Sequence, residues 1–566
     1  MKKFFIPILL AALILLSIGS LFALRDEENL YSSIRLVGRI ITETYTKYVD
    51  DFDLQKAIEA GISGMLSTLD PHTVYFEEKQ YEDLKVDTRG KFEGLGIVIG
   101  IRDNVLTVIS PIEGTPAYRM GVRAGDQIVK IEGKSTRGII IEQAVKKLRG
   151  PRGTKVTISI RRPGEPKLLD YTITRDVIEI KSVPFYGMID DEIGYIRLTR
   201  FSQDASTEVA EALKSLKEEG MKSLIFDLRS NPGGLLRQAV EVAGLFLPEN
   251  SLIVSTRGRK SYHSQDFRSF APPEFDEGKL VVLVNPGSAS ASEIVAGAIQ
   301  DNDRGLTLGQ ETFGKGLVQS VIDLGNNTAL KITTAKYYIP SGRCIQKENY
   351  LKRKETAIYS RYYTGEEEEK LPEEEEETEE DTTRELFYTL GGRVVYGGGG
   401  ITPDVKVEQQ KLNRLEIELE RKSMFFGFAI EYTKTHKELS PDFEVTDEML
   451  DEFKEYLTRS EFEFKTRPQE ELENLKKILD ESDVDSSAYE SLIPFEKILE
   501  NEKEEEFGES IDYIKHSIKR EIVSALWGEK ERYRQTVLKY DPDIKKAVEI
   551  LGTPGEYEKY FALTEK

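Results

Sequence analysis

Histidine is scarce in this chain of 566 residues, with four in all, and cysteine and tryptophan occur once each. The single cysteine, Cys344, excludes an intramolecular disulfide. The histidines, His72, His263, His436 and His516, all fall outside 281–320, the stretch richest in chemistry-bearing residues. His263, in RGRKSYHSQD, is the one near enough in sequence to suggest a histidine base, and it reads better as a surface-loop residue. Basic residues are also short: 78 Lys and Arg against 100 Asp and Glu leave a net charge of -22, without the basic excess of a nucleic-acid binder. Much of that excess is local. Residues 366–381, EEEEKLPEEEEETEED, carry twelve acids and one lysine, the composition of a solvated, disordered surface segment. No fixed-period repeat is present. What remains is a chain with 39% hydrophobic residues, long enough for three or four domains with real cores.

One long apolar run exists. Residues 4–24 are uncharged and follow two lysines, so 1–24 read as a cleaved export signal or a membrane anchor. Cleavage after Ala23 would leave Leu21 where a small side chain is preferred, which favours a retained anchor. The lysines mark the inside end and place the body outside the cytoplasm, on the periplasmic or cell-envelope side.

Hydrophobic periodicity divides the rest. Residues 25–85 read as helices around the turn Leu69-Asp70-Pro71-His72. From 86 to 180 short β-branched strands alternate with glycines, interrupted by the helix IIIEQAVKKLRG. From 181 to 345 strands such as SLIFDLRS and KLVVLVN alternate with helices such as ASTEVAEALKSLKEEG, the pattern of an α/β domain. The acidic stretch, placed at 346–385, interrupts this domain. Residues 386–410 are expected to rejoin it through ITPDVKVE, and 411–566 read as a charged helical region.

Two segments carry chemistry. In 94–99, GLGIVI, glycines let backbone N–H groups converge as a carboxylate nest before a strand whose edge can accept a peptide. The spacing does not fit a dinucleotide loop. In 281–320 a buried-type strand breaks at Asn285-Pro286-Gly287 and passes through Ser288, Ser290 and Ser292 into a small-residue helix. Lys315 follows among glycines, and Gln319 four residues later. A serine needs a neighbouring base to become a nucleophile, and a lysine of depressed pKa can be that base. Spacing alone does not choose among the three serines. Ser290 and Glu293 also have capping-box spacing, compatible with either a structural or a catalytic serine. GQETFGKG imitates a phosphate loop, but Gly316 stands where Ser or Thr must bind magnesium, and a strand pattern follows.

Together LDPHTVYF, GVRAGDQIVKIEG, FDLRSNPGG, GSASASEIVAGAIQD, TFGKGLVQS and GGGGITPDV resemble the C-terminal processing, or tail-specific, proteases over about 35–345 and again near 400. The resemblance implies an α/β crotonase/ClpP-like core with an inserted PDZ domain, N-terminal helices and a C-terminal helical region. It implies Ser290 as nucleophile, Lys315 as general base and Gln319 as the residue orienting the lysine. The oxyanion hole would use the N–H of Ala291 and one from Gly233 or Gly234. Gly94, Leu95, Gly96 and Ile97 would bind a peptide carboxylate, and Arg149 would contact the catalytic lobe in gating. Substrates would be proteins with free C-termini, with no cofactor and no metal; a homo-oligomer or an activating partner is compatible with this reading. The competing readings are an inactive PDZ scaffold or chaperone, and a nonpeptidic ligand carrier or hydrolase on the same fold. A neutral Lys315 requires a site poor in acids, shielded by Phe313, Leu317 and Val318, with Glu311 turned away.

Overall fold

The computed structural model describes residues 30–347, 384–408, 411–436, 438–482 and 486–562. The segment 4–24 and the acidic run 366–381 lie outside the described residues. Among the described residues no helix is long and apolar enough to cross a membrane. The chain falls into two compact units, Met1–Phe76 with Val321–Ile332 and Glu77–Ser320 with Thr333–Lys566.

In the first unit, residues 30–47 are helical and a second helix spans Leu54–Ser67. Asp53 caps it by accepting the N–H groups of Gln55 and Lys56. The expected turn forms because the Asp70 carboxylate accepts the N–H groups of His72 and Thr73 at 2.8 and 2.9 Å. The short strand Val74–Phe76 then pairs antiparallel with residues 329–331. Sequence periodicity gives only helix here, because three residues are too few to show alternation and the partner lies some 250 residues away.

The second unit begins with the helix Glu78–Arg89 and then the β-rich module. Lys91–Gly94 pairs with Asp176–Glu179 and closes the module's neck. Within it a sheet runs in the order Ile97–Arg102, Val105–Pro111, Gln127–Ile131, Lys155–Arg161, Leu169–Thr174. Alternate side chains, Leu106, Val108, Ile128, Ile158 and Ile160, are fully buried beside the helix Ile141–Leu148. Strand Ile97–Arg102 is left at the sheet edge, next to that helix.

The central sheet has the order Phe185–Met188, Ile193–Arg197, Ser223–Asp227, Leu280–Val284, Leu306–Gly309, Val405–Lys406. The first pair is antiparallel and the remaining pairs are parallel. Continuous apolar runs such as LVVLV arise because both faces are covered. On one face Ile196, Leu224, Phe226, Leu280, Val282 and Val284 share a core with the helices Ala205–Glu218, Leu236–Gly244 and Ala291–Asp301. On the other face Tyr195, Ile225, Val281, Leu283, Leu306 and Leu308 meet Ile544, Ala547, Ile550 and Tyr557. At about 1.5–3 kcal/mol per large buried apolar side chain, this second layer is integral to the core. The sheet therefore takes one of its covering layers from Pro542–Gly552, inside the region 411–566 read as charged and helical. The other C-terminal helices enclose their own cluster around Leu419, Phe425, Phe428, Phe453 and Ile518.

Candidate active site

Three loops converge at the carboxyl ends of parallel strands, where open α/β sheets place their sites. They follow Asp227, Val284 and Gly309 and carry Asn231 to Gly234, Ser288 to Ser292, and Thr312 to Lys315.

The structure separates the three serines. Ser288 is buried, and its hydroxyl donates to Leu228 O at 2.8 Å. Ser292 is also buried and donates to Asn231 O at 2.8 Å. Both hydroxyls are ties between the loops. Ser290 is partly exposed, and among the described residues no acceptor takes its hydroxyl proton. It is the N-cap of Ala291–Asp301, with Glu293 answering at N3, and its backbone sits at φ 56°, ψ -111°. Such a conformation is costly for a residue with a Cβ and needs surroundings that enforce it.

Those surroundings are visible. Asn231, fully buried, accepts the Ala289 N–H at its carbonyl and donates from its amide to Leu198 O, both at 3.0 Å. Gly233 packs so closely that a Cβ there would lie 2.9 Å from both Ser290 Cβ and Ala291 N. Only glycine permits this approach, at φ 100°.

Of the expected oxyanion donors, Gly233 must be corrected. Its N–H already donates to Asn231 Oδ1 at 3.0 Å. Gly234 forms a parallel bridge with Phe201, in which Gly233 O and Leu235 N–H bond to Phe201. Gly234's own N–H consequently faces away from Phe201. Among the described residues neither that N–H nor the N–H of Ala291 has a partner within the chain.

Glu293 is the feature that spacing did not expose beyond its capping role. Fully buried, its Oε2 accepts the N–H of Ser290 at 2.7 Å and of Lys315 at 3.0 Å. Its Oε1 accepts the Thr312 hydroxyl at 2.6 Å and the Gly314 N–H at 2.7 Å. Burial pushes its pKa above the usual carboxylate value, and these hydrogen bonds oppose that rise. Four donors, two on each oxygen, fill the acceptor positions of an ionised carboxylate and leave no acceptor for a proton on it. The Tyr337 hydroxyl lies between Ser290 O, at 3.2 Å, and Lys315 O. The backbones of the two residues thus share two partners. An acid-poor surrounding for Lys315 is not what is found: a buried carboxylate touches its own N–H.

Other expectations divide. Glu311 is turned toward Arg384 at 2.9 Å and Lys347 at 3.6 Å. Phe313 is 48% exposed, so it gives little shielding, whereas Leu317 and Val318 are half-buried. A strand, Leu317–Gly325, follows Lys315, as the rejection of a phosphate loop required. Gln319 lies at its start, half-buried, with Nε2 3.5 Å from Leu317 O. His263 lies in the turn between strands Leu252–Gly258 and Gln265–Arg268.

In the β-rich module, Leu95 O accepts the Ala117 N–H and Gly96 O accepts the Ile112 N–H, which fixes the loop before Ile97. Gly96, at φ 78°, lies so close to Thr115 that a Cβ would be 2.3 Å from it. Arg149 stacks over Phe92 at 4.7 Å and pairs with Asp83 at 3.4 Å, on the helix entering the module rather than on the 181–345 sheet.

With this geometry in hand, the comparisons are specific. Residues 192–352 match Peptidase family S41, 107–162 match a PDZ domain, and 415–551 match the C-terminal helical domain of a probable PDZ-protease. A carboxy-terminal-processing protease of Bartonella bacilliformis is 44% identical over 325 residues, 57% of this chain and 74% of the relative. The chain belongs to the carboxy-terminal-processing proteases of family S41. It is a serine peptidase with a PDZ domain. Another family member, from Synechocystis, is 40% identical over 50% of this chain and 68% of its own. Among solved structures, the photosystem II D1 C-terminal processing protease is 30% identical, covering 54% of this chain and 82% of that one with a TM-score of 0.33.

Proposed function

We propose that the chain is an exported endopeptidase that captures protein C-termini on its PDZ domain and cleaves near them with Ser290 and Lys315. The entering tail adds as a strand to the edge Ile97–Arg102, and its carboxylate meets the loop of Gly94, Leu95, Gly96 and Ile97. Ser290 Oγ attacks the scissile carbonyl while neutral Lys315 takes its proton. The N–H groups of Ala291 and Gly234 receive the developing oxyanion. Lys315 then returns the proton to the leaving amine, and water completes the cycle by the same route. Gln319 orients the lysine without adding charge. Glu293 and Tyr337 are positioning groups that hold the two backbones in register. Residues 4–24, outside the described part, serve export or anchoring.

The observation that carries this reading is the difference among the serines: only Ser290 is accessible with its proton uncommitted, in a strained turn whose N–H shares Glu293 with Lys315. Its test is cleavage of matched peptides with free and amidated C-termini by wild type, Ser290→Ala and Lys315→Ala. Wild type should prefer the free terminus, and both variants should lose activity. Undiminished cleavage by Ser290→Ala would sink the assignment, and indifference to amidation would remove tail recognition. An inactive scaffold or chaperone would show binding without cleavage.

A further inference from the structure

The strand Ser223–Asp227 ends in a buried charge cluster that the reaction does not use directly. Asp227 is fully buried and accepts from Tyr195 Oη at 2.7 Å, from Arg197, and from Arg229 Nη2 at 2.7 Å. Arg229 turns its remaining guanidinium edge toward the C-terminal region. Its Nη1 donates to Asp541 Oδ1 at 2.9 Å and to Asp543 Oδ2 at 2.8 Å. Asp541 is the N-cap of the helix Pro542–Gly552, which also covers the back of the sheet. The Arg229 backbone is held as well, because its carbonyl accepts Arg197 Nη2. Two residues onward Asn231 accepts Gly233 N–H and Ala289 N–H, the groups that set the approach of Gly234 and Ser290.

We infer that Arg229 is a positioning residue for the Asn231-to-Gly234 loop, and that the C-terminal helix Pro542–Gly552 holds it in place through Asp541 and Asp543. Four N–H donors from one guanidinium reach three carboxylates on two elements, and Asp541 lies 312 residues along the chain from Arg229. A planar guanidinium fixes direction as well as charge, which a lysine ammonium does not. The C-terminal region then contributes to the rate, and not only to the fold, by fixing where the Gly234 N–H points. A donor displaced from the developing oxyanion loses much of its effect while substrate binding on the PDZ domain is unchanged. This inference rests on the assignment of Ser290 and the Gly234 N–H above.

The test uses the full chain and a tail-bearing peptide. Asp541→Asn with Asp543→Asn removes both charges, and asparagine can still cap the helix. The expected result is a fall in kcat of about tenfold with KM within about twofold, in a protein that unfolds cooperatively and shows wild-type circular dichroism. Arg229→Gln should fall as far, and adding it to the double variant should lower kcat little further. Arg229→Lys should restore part of the loss. Unchanged kcat in the folded double variant, a loss that tracks only the folded fraction, or losses that multiply would overturn the inference. Ser290→Ala, run alongside, separates the two levels. If it still cleaves, the site assignment fails and takes this inference with it. If it is dead while the double variant is fully active, only the positioning role fails.

Discussion

Asp227 and Glu293 are both buried carboxylates near the carboxyl ends of neighbouring strands, and they are satisfied in opposite ways. Burial alone would raise the pKa of Asp227, but the guanidiniums of Arg229 and Arg197 outweigh it and hold the group at about 2. Among the described residues Glu293 has no guanidinium among its hydrogen-bond donors. Its partners are three backbone N–H groups and a hydroxyl, and its pKa stays raised. An arginine partner gives strong attraction where nothing has to titrate nearby. Dipoles fix a carboxylate's position without placing another full positive charge beside Lys315. The cluster around Asp227 ties a strand end to a distant helix, whereas the one around Glu293 sets the spacing of the Ser290 and Lys315 backbones.

Removing charge at Asp227 should give the largest effect on stability. Asp227→Asn leaves Arg197 and Arg229 without their shared anion and should cost about 3–5 kcal/mol in urea unfolding. Glu293→Gln should show the converse emphasis. Its amide would turn donors toward donors, displacing Ser290 and Lys315, and kcat should fall roughly 100-fold while the protein remains folded. Equal losses of stability and rate in both variants would erase the distinction. Thr312→Val, which removes one donor to Glu293 and the acceptor used by the Ile401 N–H, should cost about 1–2 kcal/mol.

The fold was largely legible because strand and helix periods differ and the apolar runs announce a sheet covered on both faces. The glycine-punctuated PDZ pattern was equally plain. The difference among the serines was not legible in their spacing, since Ser288, Ser290 and Ser292 look alike until Leu228 O and Asn231 O claim the outer two. Glu293 could be read as a capping residue, but its bonds to Thr312, Gly314 and Lys315 close only when the loops meet. The helix Pro542–Gly552 shows an apolar face in sequence, yet a 3.6-residue period does not name its partner. That partner is the sheet face that carries Ile225, Val281, Leu283, Leu306 and Leu308.

Acidity should sharpen the contrast with smaller effects. Asp227 has a folded pKa below its unfolded value of ~3.9, so its contribution is present above that value and lost as pH falls toward about 2. Glu293, raised, contributes in the opposite sense and loses stability as pH rises through its folded pKa. Stability measured between pH 2 and 5 should therefore lose part of its acid limb in Asp227→Asn and not in Glu293→Gln. A second acid window should come from His516, which burial and then Arg520 and Lys519 depress to about 4. Its contribution is lost as pH falls from ~6.5 toward 4, and His516→Gln should flatten that window alone.

In the proposed mechanism Ser290 is the nucleophile and Lys315 its base. The most direct measurement is labelling with a fluorophosphonate followed by peptide mass spectrometry. The label should fall on Ser290, spare Ser288 and Ser292, and disappear in folded Lys315→Ala. Label on another residue, or undiminished label on Ser290 without Lys315, would contradict the account.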